Sequence, residues 1–543
     1  MSTPVQRSAH LDEMHVGDIH GAFGTIARDG FVARRDWLRR LTTFFAILGP
    51  GLIVMVGDND AGAFGTYTQA GQNYGTGLLW ALLLLVPVLY VNQEMVLRLG
   101  AVSGVGHARL ILERFGKFWG AFSVIDLFAL NALTIVTEFI GIGLAAQYFG
   151  IPKVIGVGAA AVVVLFAVST GNFRRFERFA LVLCFGSLLL VPVLITVHTP
   201  IVQTIHDLFV PGLPKGDLSV IMLLLIGIVG TTVAPWQLFF QQSYVIDKRI
   251  TSRYIEYERW DLAVGIVFVM VGAIAMISFT AATFAHHAEF GNFADAGEVA
   301  AGIAKYVGRI PATLFVIALI DACLIGAAAV GLSTAYAVGD VLSLRHSLHR
   351  PVTEAPQFYA VYSLLIAIAG AVVLIPGSPL GLLTNAVQVL AGILLPSATV
   401  FLLLLSNDTA VLGPWVNGRW TNAFTAFVIA GLVMLSVILT ASVFFASFGS
   451  VQIEWTLGVG SVASLAIVLW TLVAPASLTS LMNESRSRAA KSTWQMAPLE
   501  TLPRLVLTPM NRLWLIVLRG YLIVAVALVV VRVVQIALSH GSI

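Results

Sequence analysis

From about residue 43 to residue 538 the chain is a succession of about thirteen apolar stretches, each long enough to cross the hydrocarbon layer of a bilayer, which is about 30 Å thick. This pattern excludes a water-soluble fold. Of the residues, 58% are hydrophobic and only 11% charged, whereas a soluble domain carries about 25% charged residues. In lipid the backbone must satisfy its own polar groups, and helices do so within one segment. The expected fold is therefore an all-α integral membrane protein. The stretches divide it into a cytosolic tail (1–42), a ten-helix core (43–405), two added helices (406–476), a cytosolic linker (477–512) and a last membrane helix (513–543).

Charge placement orients the chain. With the N-terminus in the cytosol, 25 Lys and Arg fall on the inner side and four (Lys153, Lys215, Lys305 and Arg309) on the outer side, leaving Arg519 and Arg532 within the last span. Positive charge accumulates on the cytoplasmic side of membrane proteins, so a bacterial inner membrane with a cytoplasmic N-terminus is expected. No cleavable leader precedes the first stretch. The longest outer loop, 285–309, holds His286, His287, Glu289, Asp295 and Glu298 and reads as a solvated loop. Cys184 and Cys323 sit inside apolar segments without metal-ligand spacing and read as core residues.

Two stretches carry helix-breaking sequence at their centres. The first reads Gly57-Asp58-Asn59-Asp60-Ala61-Gly62-Ala63, and the sixth Gly230-Thr231-Thr232-Val233-Ala234-Pro235-Trp236-Gln237. A mid-helix proline removes a hydrogen bond and clashes with the preceding turn, and Asn, Asp and Gly tolerate non-helical backbone. Such backbone survives at membrane depth only inside protein or along a wet cavity. Breaks five spans apart are the spacing of two inverted five-helix repeats, whose substrate site lies at the midplane between the broken helices. The negative C-terminal ends of the half-helices there can hold a cation. The acids Asp58, Asp60, Asp126, Glu138 and Asp321 fall in or near the apolar parts of the first ten stretches, with no Lys or Arg deep in the same spans. Intramembrane carboxylates of this kind mark a cation or proton path.

Several islands resemble the Nramp family of divalent metal transporters over residues 45–415. Gly49-Pro50-Gly51, Asp60 and Gln69-Ala70-Gly71 match the family's first helix, and Arg98-Leu99-Gly100 with Ser103-Gly104 its second. Thr137-Glu138-Phe139-Ile140-Gly141, Arg174-Arg175-Phe176-Glu177, and Ser406-Asn407-Asp408 with Leu412-Gly413 resemble its third helix, its 4–5 loop and the end of its tenth. The resemblance implies a LeuT-like inverted repeat of five plus five helices, broken at helices 1 and 6, with two or three extra C-terminal helices. It also implies a metal site of Asp60, Asn59, Ala63, Ala234, Gln237 and Gln388, with Glu138, Pro235, Trp236 and Asp58 in gating or coupling roles.

The departures from the family bear on the ion. The family's Asp-Pro-Gly-Asn is here Asp60-Ala61-Gly62-Ala63, and its Met-Pro-His is Ala234-Pro235-Trp236. The acid expected one turn before Glu138 is Ile135. A thioether favours softer metals, whereas Mg²⁺ binds oxygen and keeps several waters. The pattern is similar to the Nramp-related magnesium transporters. It implies Mg²⁺ uptake, with Mn²⁺ as a second cargo and little or no proton coupling. A monomer is expected, with the ion and the bilayer as its partners, no nucleic acid and no resident cofactor.

Rival readings are a proton-coupled Mn²⁺ or Fe²⁺ importer, for which Met55 and Met222 lie in the broken spans, and an amino-acid transporter, against which the acids argue. An intramembrane enzyme lacks support, since neither His-Glu-x-x-His nor Gly-x-Ser-x-Gly occurs. A non-transporting metal sensor would need a signalling domain, and none is visible.

Overall fold

The computed structural model describes residues 10–27, 37–375, 380–445, 448–473, 491, 494–503, 505, 512–516 and 518–520. Among them, nine helices are long and apolar enough to cross a membrane, and two bent pairs and the shorter Lys153–Val168 add to these. Span 1 comprises Pro50–Val56 and Ala61–Tyr74, preceded by a leader helix, Trp37–Ile47, that meets it at 51°. Spans 2 to 5 are Leu79–Ser103, Lys117–Tyr148, Lys153–Val168 and Phe173–Val197. Span 6 is Leu218–Thr232 and Pro235–Asp247. Spans 7 to 10 are Ile255–Phe284, Arg309–Leu342, Pro356–Val373 and Leu380–Ser406, followed by Arg419–Phe444 and Ser450–Val473. Most of the expected last stretch, 513–538, and most of the linker 477–512 lie outside the described residues.

Both breaks form where the sequence predicts them. Asp60 is extended and caps the second half of span 1 by accepting from the Ala63 N–H at 2.9 Å, the N-terminal capping that Asp favours. In span 6, Ala234 is extended and Pro235 opens the second half, where its missing N–H is harmless. Span 7 packs along both halves of span 1. Two glycines permit that closeness. A Cβ on Gly51 would come within 2.6 Å of the Leu262 nitrogen, and one on Gly71 within 2.0 Å of Thr280 Oγ1.

The loop 285–309 departs from its sequence reading. It contains a helix, Ala296–Tyr306, capped by Asp295, which accepts from the Glu298 N–H at 2.9 Å. Tyr306 stacks on His287 at 3.6 Å and donates to Glu289 at 2.8 Å. Buried Val299, Ala300 and Ile303 supply the apolar stripe that holds this helix on the bundle.

Within the N-terminal tail, residues 10–27 form a folded element. Residues Glu13–His15 make a helical turn, and Ile19–Gly21 pairs antiparallel with Gly24–Ile26. Asp12 accepts from Arg350 Nη2 at 2.8 Å and from the His346 N–H at 3.1 Å, while His15 Nε2 lies 3.1 Å from the His346 carbonyl oxygen. The hairpin binds span 5 through the Ala22 N–H to Glu177, 2.5 Å, and lies on the leader helix. Below it, Lys248 pairs with Glu177 at 2.6 Å and donates to the carbonyls of Ile47 and Leu48. Asp261 of span 7 accepts from the N–H groups of Gly49, Gly51 and Leu52. These contacts close the N-terminal face around the start of span 1.

Burial pushes the Asp12 carboxyl up, but the Arg350 guanidinium and the Met14 N–H outweigh it and hold the group at about 2. The free-chain value is about 3.9, so this stabilisation is present above pH 4 and is lost as pH falls through about 2. Between pH 5 and 8 Asp12 makes the docking no more pH-dependent. Arg350→Gln removes charge-assisted bonds worth about 1.5–3 kcal/mol. Limited proteolysis within residues 10–27 is then expected to run roughly 10- to 100-fold faster. An unchanged cleavage rate would mean that the segment is held elsewhere.

Candidate metal-transport site

The two breaks face each other inside the bundle. Tyr67, in the second half of span 1, lies 2.7 Å from Thr232 Oγ1 at the end of the first half of span 6. At the first break the N–H groups of Asp58 and Asn59 still reach back to the carbonyls of Met55 and Val56. Asp60 then turns the chain into the second half. Glu138 of span 3 clamps the same helix start, accepting from the Ala61 N–H at 3.1 Å. A Cβ on Gly326 of span 8 would lie 2.8 Å from that carboxyl, so the glycine leaves room for it. Two carboxylates thus sit at one helix N-terminus, where the backbone dipole favours negative charge.

Asp58, Asp60 and Glu138 are all buried. Neither oxygen of Asp58 is hydrogen-bonded, and the carboxylate faces Gln237, whose Nε2 is also unpaired. Gln237 accepts from Gln93 Nε2 of span 2 at 3.0 Å. No Lys or Arg among the described residues pairs with any of the three acids. A buried carboxylate without a cation is expensive. This arrangement therefore fits a place where a cation or water enters.

The predicted residues are not all gathered in one place. Asp58, Asp60, Gln237 and Glu138 come together, and Ala63 and Ala234 are buried on the helix starts beside them. Asn59 turns its Nδ2 toward span 7, while its Oδ1, the atom that would hold a metal, is buried without a hydrogen-bond partner among the described residues. Its Nδ2 donates to the Val269 carbonyl at 3.2 Å, and a Cβ on Gly272 would come within 2.3 Å of it, so the amide is directed at span 7. The cause is local: the Asn59 N–H still closes a turn on Val56, and that turn aims the side chain at the helix packed behind. Trp236 is buried, and its ring lies 3.4 Å from where a Cβ on Gly57 would be, which puts it between the breaks. Pro235 opens the second half-helix. The Gln388 side chain lies outside the described residues.

Sequence reasoning missed the neutral amides. Asn92, Gln93 and Gln241 are buried with polar atoms that have no partner among the described residues. Gln237 and Gln241 lie one helical turn apart, continuing from the break toward the N-terminal face. The only sequence signal was an amide in an apolar span, which gains weight once its missing partners are seen. On the opposite face, a cavity of about 30 Å³ is lined by Gly65, Thr137, Asp295 and Thr384 and reaches Ala61, next to Asp60.

A family profile described as "Nramp: Natural resistance-associated macrophage protein-like" matches residues 51–442. The divalent metal cation transporter MntH of Erwinia tasmaniensis is 27% identical over 402 residues, covering 72% of this chain and 93% of that protein. The protein of the same name from Staphylococcus aureus is 26% identical over 425 residues, covering 74% and 92%. A crystal structure of the Eremococcus coleocola manganese transporter superposes with a TM-score of 0.61 at 21% identity, over 81% of this chain and 96% of that one. At that identity the likeness speaks for the fold.

Proposed function

This chain belongs to the Nramp family, and on that premise we propose that it carries a divalent metal cation across the membrane, most favourably Mg²⁺, with little or no proton coupling. The observation that carries this reading is the pair Asp58 and Asp60, buried between two broken helices with no basic partner among the described residues. An ion held there would use the Asp60 carboxylate, the Asp58 carboxylate, free carbonyls at the ends of the half-helices and the Gln237 amide. Its path would run from the cavity beside Ala61, past the breaks, and along Gln237 and Gln241 once the N-terminal face opens.

The choice of ion rests on what is missing from the site. Ala234 offers no sulfur and Ala63 no amide, so oxygen alone remains and the space is larger. Oxygen ligands and room for retained waters suit Mg²⁺. Inward movement needs no proton, because a potential negative inside favours entry by about 4.6 kcal/mol per divalent ion per 100 mV.

The rival is a proton-coupled Mn²⁺ importer. Met55 does not rescue it. A Cβ on Gly265 of span 7 would lie 2.9 Å from the Met55 Cβ, so that residue packs against span 7. Met222 is ten residues before Thr232, about 15 Å along the helix.

Two substitutions test the reading. Ala234→Met adds a thioether to the second break, and Mn²⁺ uptake into proteoliposomes is expected to rise about tenfold relative to Mg²⁺. An unchanged ratio would remove residue 234 from the selectivity argument. Glu138→Gln keeps an acceptor for the Ala61 N–H and removes a charge beside Asp60. Uptake is expected to stay within about threefold of wild type. A loss as deep as that of Asp60→Ala would make Glu138 a ligand or a proton carrier.

A further inference from the structure

We propose that the groove between the N-terminal hairpin and the start of span 5 binds an anionic phospholipid. Its phosphate would lie on Arg174 and Arg178, and an acyl chain along Leu181, Val182 and Phe185. The groove has a volume of about 710 Å³, and these five residues line it together with residues 22–25 of the hairpin. Positions 174, 178, 181, 182 and 185 recur at helical spacing and share one face. Arg174 and Phe185 are eleven positions apart, about 16 Å along the helix. The basic groups sit in the first two turns of the span, at headgroup depth, and the apolar groups descend into the hydrocarbon. Val182 is 71% exposed and Phe185 48%, on a helix that otherwise buries its inner face.

The two arginines lack carboxylate partners among the described residues, unlike Arg98 and Arg259 on Glu94, Arg114 on Asp408 and Arg350 on Asp12. Arg174 donates to Thr25 Oγ1 at 2.5 Å and Arg178 to the Ala22 carbonyl at 3.0 Å. Arg174 Nε is buried and unpaired. The nearest acid in sequence, Glu177, is fully buried and already held by Lys248. No acid among the described residues lines the groove, so its charge is left for an anion. Arg is the side chain suited to phosphate, and basic pockets at the membrane surface take anionic headgroups. The apolar lower half selects a lipid over a free phosphate. A bound lipid would also tie the hairpin to span 5, strengthening closure of the N-terminal face.

The test is native mass spectrometry of the full chain in detergent. It is titrated with phosphatidylglycerol or with phosphatidylcholine of the same acyl chains, and challenged with soluble glycerol phosphate. The wild type is expected to bind phosphatidylglycerol about 30-fold more tightly than phosphatidylcholine. Arg174→Gln with Arg178→Gln should erase that preference, whereas Arg174→Lys with Arg178→Lys should keep part of it. Val182→Trp fills the apolar half while keeping both arginines, and should weaken phosphatidylglycerol binding in a chain whose hairpin contacts are intact. The proposal is overturned if the double Gln variant keeps the wild-type preference, if both lipids bind alike, or if millimolar glycerol phosphate displaces the lipid.

Discussion

Asp60→Ala is expected to lower saturable divalent-cation uptake into proteoliposomes by at least about 100-fold. A carboxylate beside a divalent ion at an effective dielectric of about 20 contributes several kcal/mol, and each 1.4 kcal/mol is about tenfold. The substitution also removes the cap on the second half of span 1, worth about 1 kcal/mol. Asp60→Asn separates the two effects, because Asn caps as well as Asp and carries no charge. If charge is what matters, Asp60→Asn should be nearly as inactive as Asp60→Ala. The structure makes a second variant informative. The Asp58 oxygens are unpaired, whereas Asp60 is engaged with the Ala63 N–H. Asp58→Asn is expected to weaken uptake less than Asp60→Asn. The reverse order would move the principal ligand two residues earlier in the break.

Lys248→Met is expected to be the most destabilising single change on the N-terminal face. Lys248 and Glu177 are fully buried and 2.6 Å apart. Removing one partner of such a pair strands the other charge and costs about 3–5 kcal/mol. The ammonium also satisfies the carbonyls of Ile47 and Leu48, at the end of the leader helix, where a cation is favoured. The melting temperature in detergent should fall by about 5 °C or more. Lys248→Met combined with Glu177→Gln should recover much of the loss, because the remaining partner is then neutral and can still accept from the Ala22 N–H. A double variant as unstable as the single one would assign the effect to the lost carbonyl contacts rather than to the stranded acid.

The breaks were legible because Pro235, Gly57 and three Asx residues have no reason to sit in an apolar run unless the helix stops there. Asp60 and Glu138 were legible by their charge. Gln93 and Gln241 were not, because a neutral amide does not stand out until its partners are seen to be missing. The direction of Asn59 depends on one backbone turn, which is local, and on which helix lies behind it, which is not. The outer helix carried a signal that was read as solvated polarity. Asp295 and Glu298 stand three residues apart before the apolar positions Val299, Ala300 and Ile303, the spacing of a helix start. The N-terminal hairpin lacks an apolar run of its own. The hairpin and the turn before it are held by bonds to residues between 149 and 338 positions away, which no sequence window spans.

The central claim is that the site passes Mg²⁺ without a proton. The direct measurement is Mg²⁺ uptake into proteoliposomes, followed with an internal indicator while a second dye reports internal pH and parallel vesicles report Mn²⁺. Saturable Mg²⁺ entry without acidification, absent in Asp60→Ala, is the predicted result. Mn²⁺ entry with acidification and no Mg²⁺ entry would contradict the account, and would mean that the site finds ligands and a proton path outside Ala234 and Trp236.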